Sequence, residues 1–519
     1  MRKLLLLLSM IVVIFFISCQ KKASWDRHIL APLLNTHLDV GDIFGDTNVQ
    51  GNSDQSWSLI VKQNLNLLAT NKVINIDDTI SVDLFNVPFT FTIPPGQKVI
   101  EKQNVTPLNF KGMELKMARA SVARMKFYVT NTIKQPLLVN YKLYSATLNG
   151  LIYEITTEVP AASDTAKAFV VKDIGLDNYD IDLTGPNGDA FNTIYATTTV
   201  WIHPDGDTAI VAPSDSVLIV STFDEFKPDY ARGYLGEQQF DTRGAEAIGA
   251  FGNFKSGSFD IKKVNASIDI YNFIGAELSI GIDQLATKRN SPPLIVNLNN
   301  PLVGSIINMQ RAAESNLAEY PIYPRHKHYN LTNSNIDRMI EIMPDSLLFH
   351  ISAVMNPLGN ISAGNDFIYF NKGLEANLKL NIPLDFSANN LLIQDNSPIH
   401  IESKKVKSGT VTIYIENLFP FSVNIQFYLL DANNQIVDSL LQRNTLITAG
   451  QMDNSSGVVM KASNTRLPIA LSSSLLTNLG LAEKIKIKAR INTIQNQSYQ
   501  LYMHYGMNVK IVGDMLYGE

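Results

Sequence analysis

Cysteine is almost missing from the 519 residues: Cys19 stands alone, so no intrachain disulfide can form. Tryptophan is nearly as scarce, with Trp25, Trp57 and Trp201, which leaves few indole platforms for sugars to stack on. Charged residues make up 18% of the chain against a usual ~25%. The 43 Lys and Arg against 48 Asp and Glu leave a net charge of −5, with no long run of one sign. That balance excludes a nucleic-acid binder driven by counterion release. Catalytic signatures are missing too. There is no Gly-Lys dipeptide for a phosphate loop, no Gly-x-Ser-x-Gly elbow and no His-Glu-x-x-His helix. The nearest serine loop, Gly359 to Gly364, has the wrong spacing. The aspartates of "DGDTAI" and "DLTGPNGDAF" sit where turns need them and offer too few oxygens for a calcium loop. No enzymatic activity, cofactor or metal is expected.

What is present begins at the N-terminus. Arg2 and Lys3 precede an apolar and small-residue run from Leu4 to Ile17, followed by Ser18 and Cys19. The run is shorter than the ~20 residues that span a bilayer, so it reads as the core of a signal peptide over residues 1–18. Its ending resembles a bacterial lipobox. The resemblance implies cleavage before Cys19, lipid on its sulfur, and acyl chains such as palmitate on the new amino terminus, together a durable anchor. The N-terminal style, "SCQKKASWD" ahead of an asparagine-rich β chain, resembles Bacteroidota outer-membrane lipoproteins. Lys21 and Lys22 stand where surface-exported lipoproteins of that phylum carry acidic residues, which implies the periplasmic face of the outer membrane.

The body of the chain has the period-2 pattern of half-buried antiparallel strands. Ala123, Met125, Phe127 and Val129 alternate with polar or mixed neighbours, as do Ile268 and Ile270, and Val411, Ile413 and Ile415. Asn149-Gly150 predicts a tight hairpin, and Pro204 to Asp207 a second one. Helices are expected at Asn308 to Tyr320, after a capping box at Ser334 to Asp337 with Pro344 as the stop, and from Leu471 to Leu479 before Gly480. The fold class is therefore mainly β, as tandem antiparallel β-sandwich modules with a few short helices.

Three stretches share one layout: a short strand, an alternating strand ending in asparagine, a loop and a second strand. They start at Glu114, Ser258 and Ile399, and their closing asparagines are Asn131, Asn272 and Asn417. Spacings of 141 and 145 residues suggest one sandwich per copy, at residues 110–255, 256–397 and 398–519, behind a tether and lead segment at 19–109. The Asn131/Pro136 and Asn417/Pro420 pattern, with "LLVNYKLYSATLNG" after it, resembles the late-embryogenesis-abundant type 2 or water-stress domain. That resemblance implies a small β-sandwich that binds or protects and carries no catalytic residue.

Two groups of side chains stand out for binding. Tyr230, Arg232 and Tyr234 combine residue types enriched at interface hot spots, although a linker packed across a domain joint would look the same. Lys484, Lys486, Lys488 and Arg490 share one face of a strand. Such a row suits anionic lipid or an acidic partner, and equally the solubilising of a sheet face or the protection of an edge strand. His326 and His328 should point to one side of a basic, exposed loop. These features suggest a non-enzymatic structural or interaction subunit of an envelope complex, meeting the membrane through its anchor and an outer-membrane protein as partner. The alternatives are a lipid-binding or lipid-transfer protein, suggested by runs such as "LFNVPFTFTIPPG", and a glycan-binding or nutrient-uptake lipoprotein.

Overall fold

The computed structural model describes residues 27–45, 48–68, 70, 73–74, 79–317, 320–399, 406–453, 455–494 and 497–518; the signal segment and Cys19 lie outside them. The fold is mainly β, built from antiparallel sheets. The alternating residues make it so. Ala123, Met125, Phe127 and Val129, then Ile268 and Ile270, then Val411, Ile413 and Ile415 are all buried, while the residues that alternate with them are half-buried or exposed. Asn149 and Gly150 adopt φ of +52° and +80°, so Leu148 meets Leu151 across a two-residue turn.

Among the described residues the helices are Val40–Phe44, Ile336–Glu341 and Ser473–Leu479. The last has the expected caps: Ser472 accepts from the Leu475 N–H, and Gly480 closes the C-terminus. The capping box expected at Ser334 to Asp337 does not form. The Asn335 side chain, at the N-cap, instead accepts from the Asn299 N–H at 2.7 Å and donates to the Asn297 carbonyl at 2.9 Å, which ties the helix to its neighbouring segment. Two other expectations are overturned. The described residues between Asn308 and Tyr320 are not helical but contribute to strands Ile306–Met309, Ala313–Leu317 and Tyr320–Tyr323. Pairing of Ile306 to Met309 with Leu278 to Gly281 outweighs a helix propensity worth only tenths of a kcal/mol per residue. The turn at Pro204 to Asp207 joins no hairpin either. Strand Thr193–Ile202 pairs with Leu137–Leu148 and Lys98–Pro107, whereas Ala209–Val211 pairs with Phe91–Ile93.

The three asparagines occupy matching corners. Each is the last residue of its strand and fully buried. Each side-chain carbonyl accepts from the N–H two residues on: Ile133 at 2.8 Å, Ile274 at 2.9 Å and Phe419 at 3.0 Å. Each amide donates to the carbonyl four residues on, at Gln135, Ala276 and Phe421. The same amide reaches a second carbonyl far along the chain, Pro160, Gln310 or Thr448, at 2.9 Å every time. After the corner the chain leaves its strand without pairing back on it. At Asn272 and Asn417 it enters a different sheet. The asparagine satisfies the polar backbone of a buried arch that no hairpin ladder could satisfy.

The sheets run across the boundaries suggested by the 141- and 145-residue spacing. Strand Arg27–Asp39, in the lead segment, pairs along its length with Gly506–Tyr517 at the other end of the chain, and Trp57–Leu68 pairs with Leu374–Pro383. Gln238–Ala247 pairs with Ser346–Met355, across residue 255. Phe254–Ile261, Asp385–Pro398 and Lys484–Asn492 are neighbours in one sheet, across residue 397. An open strand edge is satisfied by whichever segment reaches it, so the repeated local layout does not dictate where a sheet ends.

Candidate partner-binding surfaces

The Tyr230, Arg232, Tyr234 segment lies at the end of strand Ser216–Tyr234, whose Tyr230 to Gly233 portion pairs with Asp366–Tyr369. The Tyr230 hydroxyl donates to Glu314 Oε1 at 2.7 Å, and Arg232 pairs with the other oxygen of that carboxylate. The Tyr230 ring packs 4.8 Å from Tyr369, in a small core with Ala312, Ile322 and Phe367. Burial, and then the bond to Glu314, push the phenol well above its ordinary pKa. Tyr230 and Arg232 are thus brought together around a carboxylate of their own chain, at a joint between distant segments. Tyr234 is half-buried, and its phenol is raised by burial and by the carboxylates of Glu237, Asp366 and Glu114.

Lys484, Lys486, Lys488 and Arg490 do share a face of strand Lys484–Asn492, with Ile485, Ile487 and Ile491 in the core behind them. This strand is not an edge. Asp385–Pro398 flanks it on one side and Ser422–Leu430 on the other. Edge protection therefore does not account for the row.

Sequence reasoning missed a third surface. Strand Thr79–Asn86 carries Ile80, Val82 and Leu84 on one side, and all three are more than half exposed. The opposite side turns Asp83 and Phe85 inward. Asp83 is 6% exposed, and its carboxylate accepts from Lys102 Nζ at 2.7 Å and Asn104 Nδ2 at 2.6 Å. The outward apolar row continues over three more strands. Leu84 aligns with Leu218, Thr130 and Phe169; Val82 aligns with Val220, Tyr128 and Val171. Phe169 is 70% exposed, and Val171 and Tyr128 are exposed beside it. Thr222, Lys126 and Asp173 form a polar border along the Ile80 row. The outcome is an apolar sheet face four strands wide on a wet surface. The alternating pattern of Thr79 to Asn86 announces an amphipathic strand, but parity alone does not say that its apolar side faces out.

His326 and His328 lie on strand Arg325–Asn330, which corrects the expectation of a loop. Their spacing does put both rings on one side, where His326 Nε2 and His328 Nδ1 lie 2.7 and 2.8 Å from the same Asp269 oxygen. The carboxylate can only accept, so both imidazoles donate. Burial pushes the Asp269 carboxyl up, but the bonds from His328 and His326 outweigh it and hold the group below its ordinary pKa. Among the described residues no set of three or more His, Cys, Asp or Glu side chains is arranged to hold a metal ion. Two apolar cavities, one lined by Phe110, Leu143 and Phe226 and one by Ile43, Phe421 and Met507, measure about 40 and 70 Å³. Three more open depressions, lined by Arg124 and Asp173, by Asp241 and Ser352, and by Glu277 and Gln310, measure about 490, 520 and 280 Å³.

No protein-family model matches the chain, the late-embryogenesis-abundant type 2 domain included, and no curated protein does. Among solved structures it is similar to a "putative secreted protein" of Parabacteroides distasonis, at 10% identity over 94% of this chain and 98% of that one, with a TM-score of 0.26. Superposition that loose does not make the two folds the same, and the architecture above rests on its own hydrogen bonds.

Proposed function

We propose that the protein is a non-enzymatic interaction subunit of a cell-envelope complex, held at the periplasmic face of the outer membrane by lipid on Cys19. The observation that carries this reading is the apolar face formed by Ile80, Val82, Leu84, Leu218, Val220, Tyr128, Phe169 and Val171. Exposed apolar area costs about 25 cal/mol per Å² relative to a covered surface, and contiguous patches with polar borders mark contact sites. A flat sheet face suits the surface of another folded protein.

The test is photo-crosslinking in the native cells, with a benzophenone amino acid at Val82 or Phe169 of the full-length lipoprotein. One discrete protein adduct is expected, lost when Val220 is changed to Lys in the same chain. Adducts to phospholipid alone, or an adduct indifferent to Val220→Lys, would overturn the reading.

A further inference from the structure

The row on strand Lys484–Asn492 is not accounted for by edge protection. It guards no edge, since both sides of the strand are paired. Among the described residues it pairs with no carboxylate. The residues directly across from Lys486 are Asn396 and Tyr428, and those across from Lys488 are Gln394 and Gln426. Arg490 stands between Leu392 and Asn424, and Lys484 between Pro398 and Leu430. The bonds these cations make are to neutral groups. Lys484 Nζ donates to Asn434 Oδ1 at 2.9 Å and Arg490 Nη1 to Asn390 Oδ1 at 3.0 Å, while Lys488 Nζ sits 4.8 Å over the Tyr428 ring. Lys486 has no side-chain partner among the described residues. In a chain whose net charge is −5, this is a local inversion of sign with no ion pair to a described carboxylate.

Geometry narrows the ligand. Residues two apart on a strand are about 6.7 Å apart, so the four cations form a line of about 20 Å. All four are half-buried, and three of the heads, those of Lys484, Lys488 and Arg490, are held by neighbours. A line of fixed charges matches an extended polyanion better than the plane of a bilayer surface. An acidic peptide would lack its usual means of docking on a sheet, because the strand has no free edge to pair with. Beside the cations, Gln394, Asn396, Asn424 and the Tyr428 hydroxyl offer neutral donors and acceptors of the kind that meet sugar hydroxyls.

We propose that Lys484, Lys486, Lys488 and Arg490 bind a linear acidic polysaccharide laid along this strand, with its carboxylate or sulfate groups on the cations and its hydroxyls on the flanking amides. The site is separate from the apolar face and works whether or not that face binds a protein.

The test uses purified full-length protein in mild detergent, titrated with polygalacturonate, with neutral dextran as control. Polygalacturonate should bind and dextran should not, and raising salt from about 0.05 to 0.3 M should weaken binding severalfold as screening shortens the reach of the charges. Lys486→Gln with Lys488→Gln should raise Kd tenfold or more, and Lys486→Arg with Lys488→Arg should restore binding to within about threefold. Circular dichroism of each variant checks that it is folded. Equal binding by wild type and the Gln variant overturns the proposal. So does binding only to phosphatidylglycerol vesicles or only to poly-glutamate, which would assign the row to a membrane or to an acidic protein.

Discussion

Asn131, Asn272 and Asn417 each bond three backbone groups at their corners. Replacing Asn272 by Ala would strand the Ile274 N–H and the Ala276 carbonyl in the core, and each unpaired buried group costs ~1–3 kcal/mol. We expect a loss of about 3 kcal/mol in urea unfolding, with a similar loss at the other two corners. Asn272→Asp should cost at least as much, because it gives up both donated bonds and buries a charge. A loss under about 0.5 kcal/mol would show the corner to be replaceable. Asp269 gives a pH prediction. Its folded pKa lies below the ordinary value of 3.8, so its contribution to stability is complete above about pH 4. It is lost as pH falls through the lowered folded value. Hydrogen exchange in strand Arg325–Asn330 should accelerate from pH 5 to pH 3 beyond the intrinsic rate change, and Asp269→Asn should abolish that excess. Cys19→Ser should release the protein from membranes, as read by fractionation after a high-salt wash; retention of the mutant would refute the anchor. The residue types at the asparagine corners were legible in the sequence, because few side chains can serve a strand exit. The partners of Tyr230 and Arg232 were not, since Glu314 lies more than eighty positions away and belongs to a segment whose composition suggests a helix.

Strand Thr79–Asn86 shows how an element can have the right period and an unexpected facing. Its inward side is secured by Phe85 in the core and by Asp83 bonded to Lys102 and Asn104, which leaves Ile80, Val82 and Leu84 in water. A triple change of these to Thr should shift stability by less than about 1 kcal/mol, because little packing is lost at exposed sites. The same variant should lose much of the binding of a hydrophobic dye to the folded protein. Phe85→Ala, on the buried side, should instead cost about 3 kcal/mol. If the Thr variant unfolds as readily as the Ala variant, the apolar side is packed in solution. The basic strand Lys484–Asn492 makes the complementary point. Its alternation was plain in the sequence, yet only pairing on both sides separates a binding row from an edge guard.

At the scale of the molecule the chain interlocks its ends. Strand Arg27–Asp39 closes a sheet with Gly506–Tyr517, and Val406–Asn417 lies on the far side of that C-terminal strand. A fragment of residues 398–519 would lack Arg27–Asp39 from one sheet and Phe254–Ile261 and Asp385–Pro398 from the other. Long unpaired edges would face water, so this fragment should aggregate or stay unfolded, judged by circular dichroism and gel filtration. A soluble fragment with cooperative unfolding would show that the last sandwich stands alone. In the full chain, deletion of residues 27–39 should lower the urea midpoint while leaving the apolar face of the first sheet intact.

The mainly-β class, the hairpin at Asn149-Gly150, the helix before Gly480 and the three asparagine corners could be read from the sequence alone. Each depends on interactions within a few residues, where period, turn chemistry and capping act directly. Sheet membership, the outward apolar face and the central position of the basic row were decided only by the tertiary structure. They depend on which distant strand fills an open edge, and on which side of an alternating strand the nearest buried partner lies. Neither quantity is encoded locally: register transmits a single long-range contact, such as Asp83 with Lys102, along every residue of a strand and so fixes what the whole face presents to solvent.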